Sequence, residues 1–163
     1  MRKILIIGAG PAGIFTALEL LKLGSNDDIT IIEQGRLIEN RVCPKSKTKE
    51  CIHCKPYCNI TCGFSGAGAF SDGKLNTLVK DKENRCKKVF EIFIENGAPE
   101  EIMYLNKPHI GSDNLKKVVK NMREEIISLG GEVRFGWKLS DLIIANGSIQ
   151  GISCIRPDGT QED

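Results

Sequence analysis

Apolar residues in the first thirty-three positions form two short runs on either side of a longer periodic stretch. Residues 3–7, KILII, are too short for a helix and rich in β-branched side chains, as expected of a strand buried on both faces. Ile14, Leu18, Leu21 and Leu23 then fall near helical spacing, with Gly24 as a stop signal. A second run, Ile29-Thr30-Ile31-Ile32, ends at Glu33. Further on, Val89, Phe90, Phe93 and Ile94 share one face of a helix expected over about 83–96, closed by Gly97 and Pro99. Leu115, Val118, Val119, Met122 and Ile126 make the core stripe of another, expected over about 113–129, with Ser112 or Asp113 as N-cap and Gly130 as stop. The last stretch, about 132–160, has short apolar runs separated by the turns Asn146-Gly147 and Pro157-Asp158-Gly159, of which Asn-Gly is a strong hairpin signal. The whole predicts an α/β domain.

The 163 residues suffice for one domain with its own core. Hydrophobic residues at 40% and charged residues at 27% exclude wholesale disorder. A net charge of +2 is too small to imply nucleic acid as partner. The basic residues Arg36, Arg41, Lys45, Lys47, Lys49 and Lys55 nonetheless cluster, either to meet a phosphate or to keep a loop solvated. Seven cysteines are an odd number, and the uncharged stretch after Met1-Arg2-Lys3 is broken by glycines and a proline, so neither a disulfide framework nor an export signal is expected. No run approaches the roughly 20 apolar residues of a membrane span. The expectation is a cytoplasmic protein with reduced thiols.

Chemistry enters between the first strand and the first helix, at Gly8-Ala9-Gly10-Pro11-Ala12-Gly13. Gly8 permits a tight turn, Gly10 lets the backbone approach a pyrophosphate, and Gly13 allows close packing of helix on strand. The helix N-terminus offers N–H groups and partial positive charge. Glu33, 20 residues beyond Gly13, brings a carboxylate to a ribose hydroxyl and disfavours a 2′-phosphate. Strand, glycine turn, helix, strand and acid together predict dinucleotide binding, with FAD and NAD both open on spacing alone.

The segment CIHCKPYCNITCGFSGAGAFSDGKL, residues 51–75, is harder to read. Cys51, Cys54, Cys58 and Cys62, with Cys43 upstream and His53 among them, stand near metal-ligand spacing, and zinc or an iron–sulfur cluster is one alternative. A redox pair at Cys51 and Cys54 is a second, and unmetallated thiols lining a loop a third. The small residues from Gly63 to Gly73 let a backbone lie against a ligand, or merely build a tight loop. His109 reads as structural.

GAGPAG with Glu33, then CP…CIHCKP and CGFSGAGAFSDGKL, then KPHIGSD at 107–113, resembles the FAD-dependent or NAD(FAD)-utilising dehydrogenases, relatives of the glutathione-reductase type of flavoprotein. The resemblance implies a Rossmann-like, three-layer FAD/NAD(P)-binding domain: a βαβ unit at 3–33, a Cys/Gly-rich cofactor loop at 41–78, two helices and a C-terminal β-meander. It implies FAD as cofactor and NAD(P)H as a candidate electron donor of the full-length family. Gly8, Gly10, Gly13 and Glu33 would hold the ADP half, Pro11, Ala12, Gln34 and Arg41 would also bind the cofactor, and Gly66, Gly68, Ser71 and Gly73 would lie along the pyrophosphate, ribitol or flavin, with Lys74 near the flavin. It also implies that the substrate domain and the second FAD-binding half lie outside these residues. An incomplete domain of this kind is expected to lack activity alone and to self-associate through an open sheet edge. The catalytic residues and the small-molecule substrate are not legible.

Overall fold

The computed structural model describes residues 1–75 and 80–163; the last three positions of the expected 41–78 loop fall outside them. Strands β1 (Lys3–Ile7), β2 (Asp28–Glu33) and β3 (Glu132–Phe135) form a parallel sheet in the order β1-β2-β3. Ile6 stands beside Ile31, and Ile31 beside Val133. Helix α1 (Pro11–Lys22) connects β1 to β2. After β3, strands β4 (Lys138–Ala145), β5 (Ser148–Ile155) and β6 (Gln161–Glu162) form an antiparallel meander. β3 thus extends the parallel sheet, and the meander begins at Lys138 rather than near 132.

The sheet is covered unequally. β2 is buried from Ile29 to Glu33, because Ile29 and Ile31 pack under the helices while Thr30 and Ile32 are covered on the other side, where β4 lies against β2. β1 departs from the expectation of burial on both faces. Ile4 and Ile6 pack on the core, but Leu5 and Ile7 are 44% and 47% exposed. The reason is position: β1 is an edge strand, paired only with β2 among the described residues.

Helix α4 (Ser112–Ser128) lays Val118, Val119, Met122 and Ile126 against Ile14, Ala17 and Leu18 of α1. Burial of each such side chain contributes about 1.5–3 kcal/mol. Arg123, nearly buried on α4, holds Glu39 through two hydrogen bonds of 2.8 and 2.7 Å, and so fixes the 3₁₀ turn Ile38–Asn40 to the helix. The cap of α4 is Gly111, at φ +81°, with no side-chain cap; Ser112 is already helical. A short helix, α2 (Lys45–Thr48), occupies the basic stretch where the sequence shows no periodicity. Helix α3 (Arg85–Glu95) is capped from upstream, where the Asp81 carboxylate accepts from the N–H groups of Arg85 and Cys86 at 2.7 and 2.8 Å. No helix among the described residues is long and apolar enough to cross a membrane.

Candidate functional site

The turn between β1 and α1 uses its three glycines for three different purposes. Gly8 sits at φ +95° and donates its N–H to the Ile32 carbonyl at 2.7 Å, tying the turn to β2. At Gly13 a Cβ would stand 2.1 Å from the Gly8 carbonyl oxygen, so only glycine lets α1 approach the strand. Gly10 needs neither freedom, with φ at −74°, and a Cβ there would meet nothing within 4 Å. That flank of the turn is open. No side chain caps α1, its first turn carries no acid, and Pro11 occupies a position whose N–H would lack a partner anyway. Pro11 and Ala12 are exposed. The result is an uncapped helix N-terminus with partial positive charge beside an open backbone.

Glu33 ends β2 and is 6% exposed. Its Oε2 accepts from the Ala9 N–H at 2.9 Å and its Oε1 from the Gly35 N–H at 2.7 Å, so the carboxylate clamps the glycine turn to the loop after β2. Each oxygen retains acceptor capacity for a hydroxyl. Gln34 donates from Nε2 to Cys62 Sγ at 3.4 Å. Immediately beyond, Gly35 crosses Gly63: a Cβ on Gly35 would lie 2.4 Å from the Gly63 nitrogen. Sequence reasoning missed this crossing, for which the only signal was a glycine in each of two distant loops.

Arg41 plays a role different from a phosphate ligand. The residue is 2% exposed, and its guanidinium donates to four carbonyls: Asn59 (2.9 Å), Phe64 (2.6 Å), Gly66 (2.8 Å) and Ile60 (2.5 Å). It also stacks over the Phe70 ring, 4.7 Å from its centroid. Burial pulls its pKa down, opposed by the nearby Glu33 carboxylate. Its charge is spent on holding the cysteine and glycine loop in place.

That loop returns to the first turn. Ser65 donates its N–H to the Ala9 carbonyl at 2.7 Å, and Gly66 packs on Pro11, where a Cβ would lie 3.7 Å from Cδ. Ser65 Oγ, fully buried, has no hydrogen-bond partner among the described residues. It lines a cavity of about 170 Å³ with Pro11, Ile14, Gly68, Ser71 and Lys74. Ser71 Oγ donates to the Gly68 carbonyl at 2.9 Å, closing the 3₁₀ turn Ala67–Phe70. Gly73 has a packing reason of its own, since a Cβ there would come within 2.9 Å of the Gly111 nitrogen. Lys74 pairs with Asp72 at 2.7 Å, which raises the pKa of the lysine, and bridges His109 through the backbone. His109, exposed, is thus part of a strand-like contact.

Gly8, Gly10, Pro11, Ala12, Gly13 and Gly66 therefore meet at one helix end. Glu33 and Gln34 stand at the end of β2, where an open cleft of about 910 Å³ is lined by residues 34–37 and 57–59 together with Phe135, Gly136, Lys138 and Arg156. Arg134 and Arg156 flank Trp137, 5.0 and 5.4 Å from its ring centroid.

The metal alternative at Cys51, Cys54, Cys58 and Cys62 is not assembled. No three His, Cys, Asp or Glu side chains among the described residues stand together as an ion would require. Cys62 accepts from Gln34 Nε2, and the polar groups of Thr61 and Ile60 near Cys58 hold its thiol pKa below the usual value.

No family model matches the chain. It is 44% identical over 147 residues to an uncharacterized protein of Clostridium beijerinckii, an alignment covering 90% of this chain and 27% of that relative. The chain thus spans little more than a quarter of the relative's length. Among solved structures, a flavocytochrome c3 fumarate reductase matches 96% of the chain and 31% of its own, with a TM-score of 0.58 at 16% identity. THI4 of Thermovibrio ammonificans matches 96% and 48%, with a TM-score of 0.55 at 14% identity. The myxobacterial halogenase CndH, described as a variant of FAD-dependent halogenases, matches 99% and 35%, with a TM-score of 0.51 at 9% identity. The likeness is one of fold: an α/β domain with a parallel three-stranded sheet and an antiparallel one.

Proposed function

We propose that the chain is the dinucleotide-binding portion of a flavin-dependent oxidoreductase, of Rossmann type, with FAD as its ligand. The observation that carries this reading is the open flank of Gly10 beside the uncapped N-terminus of α1, with a second glycine turn at Gly66 seated on the first. An anionic pyrophosphate suits that end, since both the helix dipole and the first-turn N–H groups favour negative charge. Glu33, 6% exposed and held by two backbone N–H groups, is set to accept from a ribose hydroxyl, and its charge opposes a 2′-phosphate. The orphaned Ser65 Oγ is a further polar group suited to a ligand at this turn. Gly68 and Ser71 continue the same wall. Arg41 acts beneath it, shaping the loop through its four carbonyls.

Bound flavin supplies hydride chemistry through its isoalloxazine. These residues bind and orient it. Titration of the chain with FAD, ADP and NAD, followed by calorimetry, tests the proposal. FAD and ADP are expected to bind competitively. Failure of all three overturns it, and binding of NAD with no binding of FAD reassigns the cofactor. The exposed edge of β1 also predicts association between copies; sedimentation showing a monomer at all concentrations would refute that part alone.

A further inference from the structure

Native cores leave few voids larger than a water molecule, yet a cavity of about 170 Å³ stands between α1, α3, α4 and the second glycine turn. Ile14, Phe15, Phe93, Leu115, Val119 and Met122 make its apolar lining. A void of about 150 Å³ lined by such side chains stays dry and admits one benzene ring. Ser65 lines the same cavity. The residue is 5% exposed, and its buried Oγ has no partner among the described residues. Its backbone stands at φ +70°, in the left-handed region that glycine adopts at less cost. The chain thus keeps a side chain where the backbone disfavours one, and leaves its hydroxyl unpaired where burial penalises that. The other polar side chains of the lining are engaged: Ser71 Oγ donates to the Gly68 carbonyl, and Lys74, exposed, pairs with Asp72 at 2.7 Å. A ligand here meets apolar walls, one free hydroxyl and no unpaired charge among the described residues.

We propose that this cavity binds a small uncharged ring bearing one hydroxyl or carbonyl oxygen, a ligand of phenol size, with Ser65 Oγ as its hydrogen-bond partner. The serine hydroxyl donates to a carbonyl or accepts from a hydroxyl, so either oxygen satisfies it. The ring joins Phe15 and Phe93, which already meet edge to face with centroids 5.5 Å apart. A carboxylate does not suit the cavity, because its charge would be buried without a free cation. The site goes beyond nucleotide binding, although it borders it: Pro11 and Gly68 are shared, but Gly10, whose open flank suits a pyrophosphate, is not among the lining residues. Binding of the ring therefore needs no nucleotide.

The chain is isotope-labelled at its methionine methyl groups and titrated by NMR with phenol, benzene and benzoate, each without nucleotide. Met122 is 1% exposed and lines the cavity, whereas Met1 and Met103 are exposed and do not. Phenol is expected to shift the Met122 resonance alone, and to saturate that shift at lower concentration than benzene; benzoate should leave it unmoved. Ser65→Ala should cut the preference for phenol over benzene by about tenfold, the effect of one hydrogen bond to a group otherwise unpaired. Saturating ADP should leave the phenol shift in place. No Met122 shift with phenol, equal shifts at all three methionines, benzene or benzoate binding as tightly as phenol, or an unchanged preference in Ser65→Ala each overturns the proposal. Loss of the phenol shift on adding ADP overturns it too, since the cavity would then belong to the nucleotide site. Failure of every nucleotide to bind would leave the ring site standing, so the two fail separately. The contrast among the ligands in the unaltered chain requires no variant to fold.

Discussion

The two glycine turns that meet at the head of α1 are held by opposite means. The first, Gly8–Gly13, is defined by its own backbone: a positive φ, a close approach and an open flank within six residues. The second, around Gly66, is held from a distance by Arg41, which reaches carbonyls 18 to 25 residues further along the chain. A local turn can be rebuilt wherever its glycines are kept, whereas a loop hung on one buried cation fails when that cation goes.

The largest expected effect breaks the second turn. Arg41→Met leaves the carbonyls of Asn59, Ile60, Phe64 and Gly66 without their donor, and should destabilise the chain by about 4 kcal/mol. Urea unfolding measures it. Arg41→Lys should recover little, because a point ammonium does not span four carbonyls as a planar fork does. A loss below about 1 kcal/mol would mean that the loop is held by something else.

Gly13→Ala breaks the first turn at its closest contact. The new methyl would overlap a backbone oxygen, which cannot move aside as a flexible side chain can. A loss of about 3 kcal/mol is expected, at the upper end of overpacking costs. The clamp between the first turn and the loop after β2 comes next. Glu33→Gln keeps one acceptor oxygen but turns an NH₂ toward either the Ala9 or the Gly35 N–H, and should cost about 2 kcal/mol. It should also weaken ADP, since the ribose acceptor loses its charge.

This difference in support explains what could be read from the sequence. GAGPAG, the apolar runs beside it and Glu33 lie within thirty-three residues, and their spacing alone defines strand, turn, helix and strand. The stripe of α4 was equally legible, because helical periodicity is a local property, but the expected face of α3 left out Ile92, its one buried residue, while Phe90, Phe93 and Ile94 are only partly buried. Arg41 was not legible. A basic residue among others at 36–55 reads as a phosphate contact or a solvated loop, and only tertiary structure reveals that it is buried on carbonyls. The crossing of Gly35 over Gly63 and the packing of Gly73 on Gly111 were hidden for the same reason. The exposed outer face of β1 was hidden too, since KILII is equally apolar in a central strand and in an edge strand. The cysteine spacing suggested metal, yet spacing says nothing of where the sulfurs point.

The smallest effect on stability separates packing from binding within the first turn. Gly10→Ala adds the same methyl as Gly13→Ala, three residues away, but at φ −74° and into open space. Stability should change by no more than about 0.5 kcal/mol, the range of substitutions that touch nothing. The added methyl occupies the space through which a pyrophosphate would reach the backbone, so ADP and FAD affinity should fall by about tenfold or more, or about 1.4 kcal/mol. Unfolding and calorimetry on the same protein read both quantities. An unchanged affinity would move the phosphate site away from this flank, while an affinity lost together with stability would make Gly10 a packing glycine like Gly13. Only a stable chain with weakened nucleotide binding assigns the open flank to the ligand.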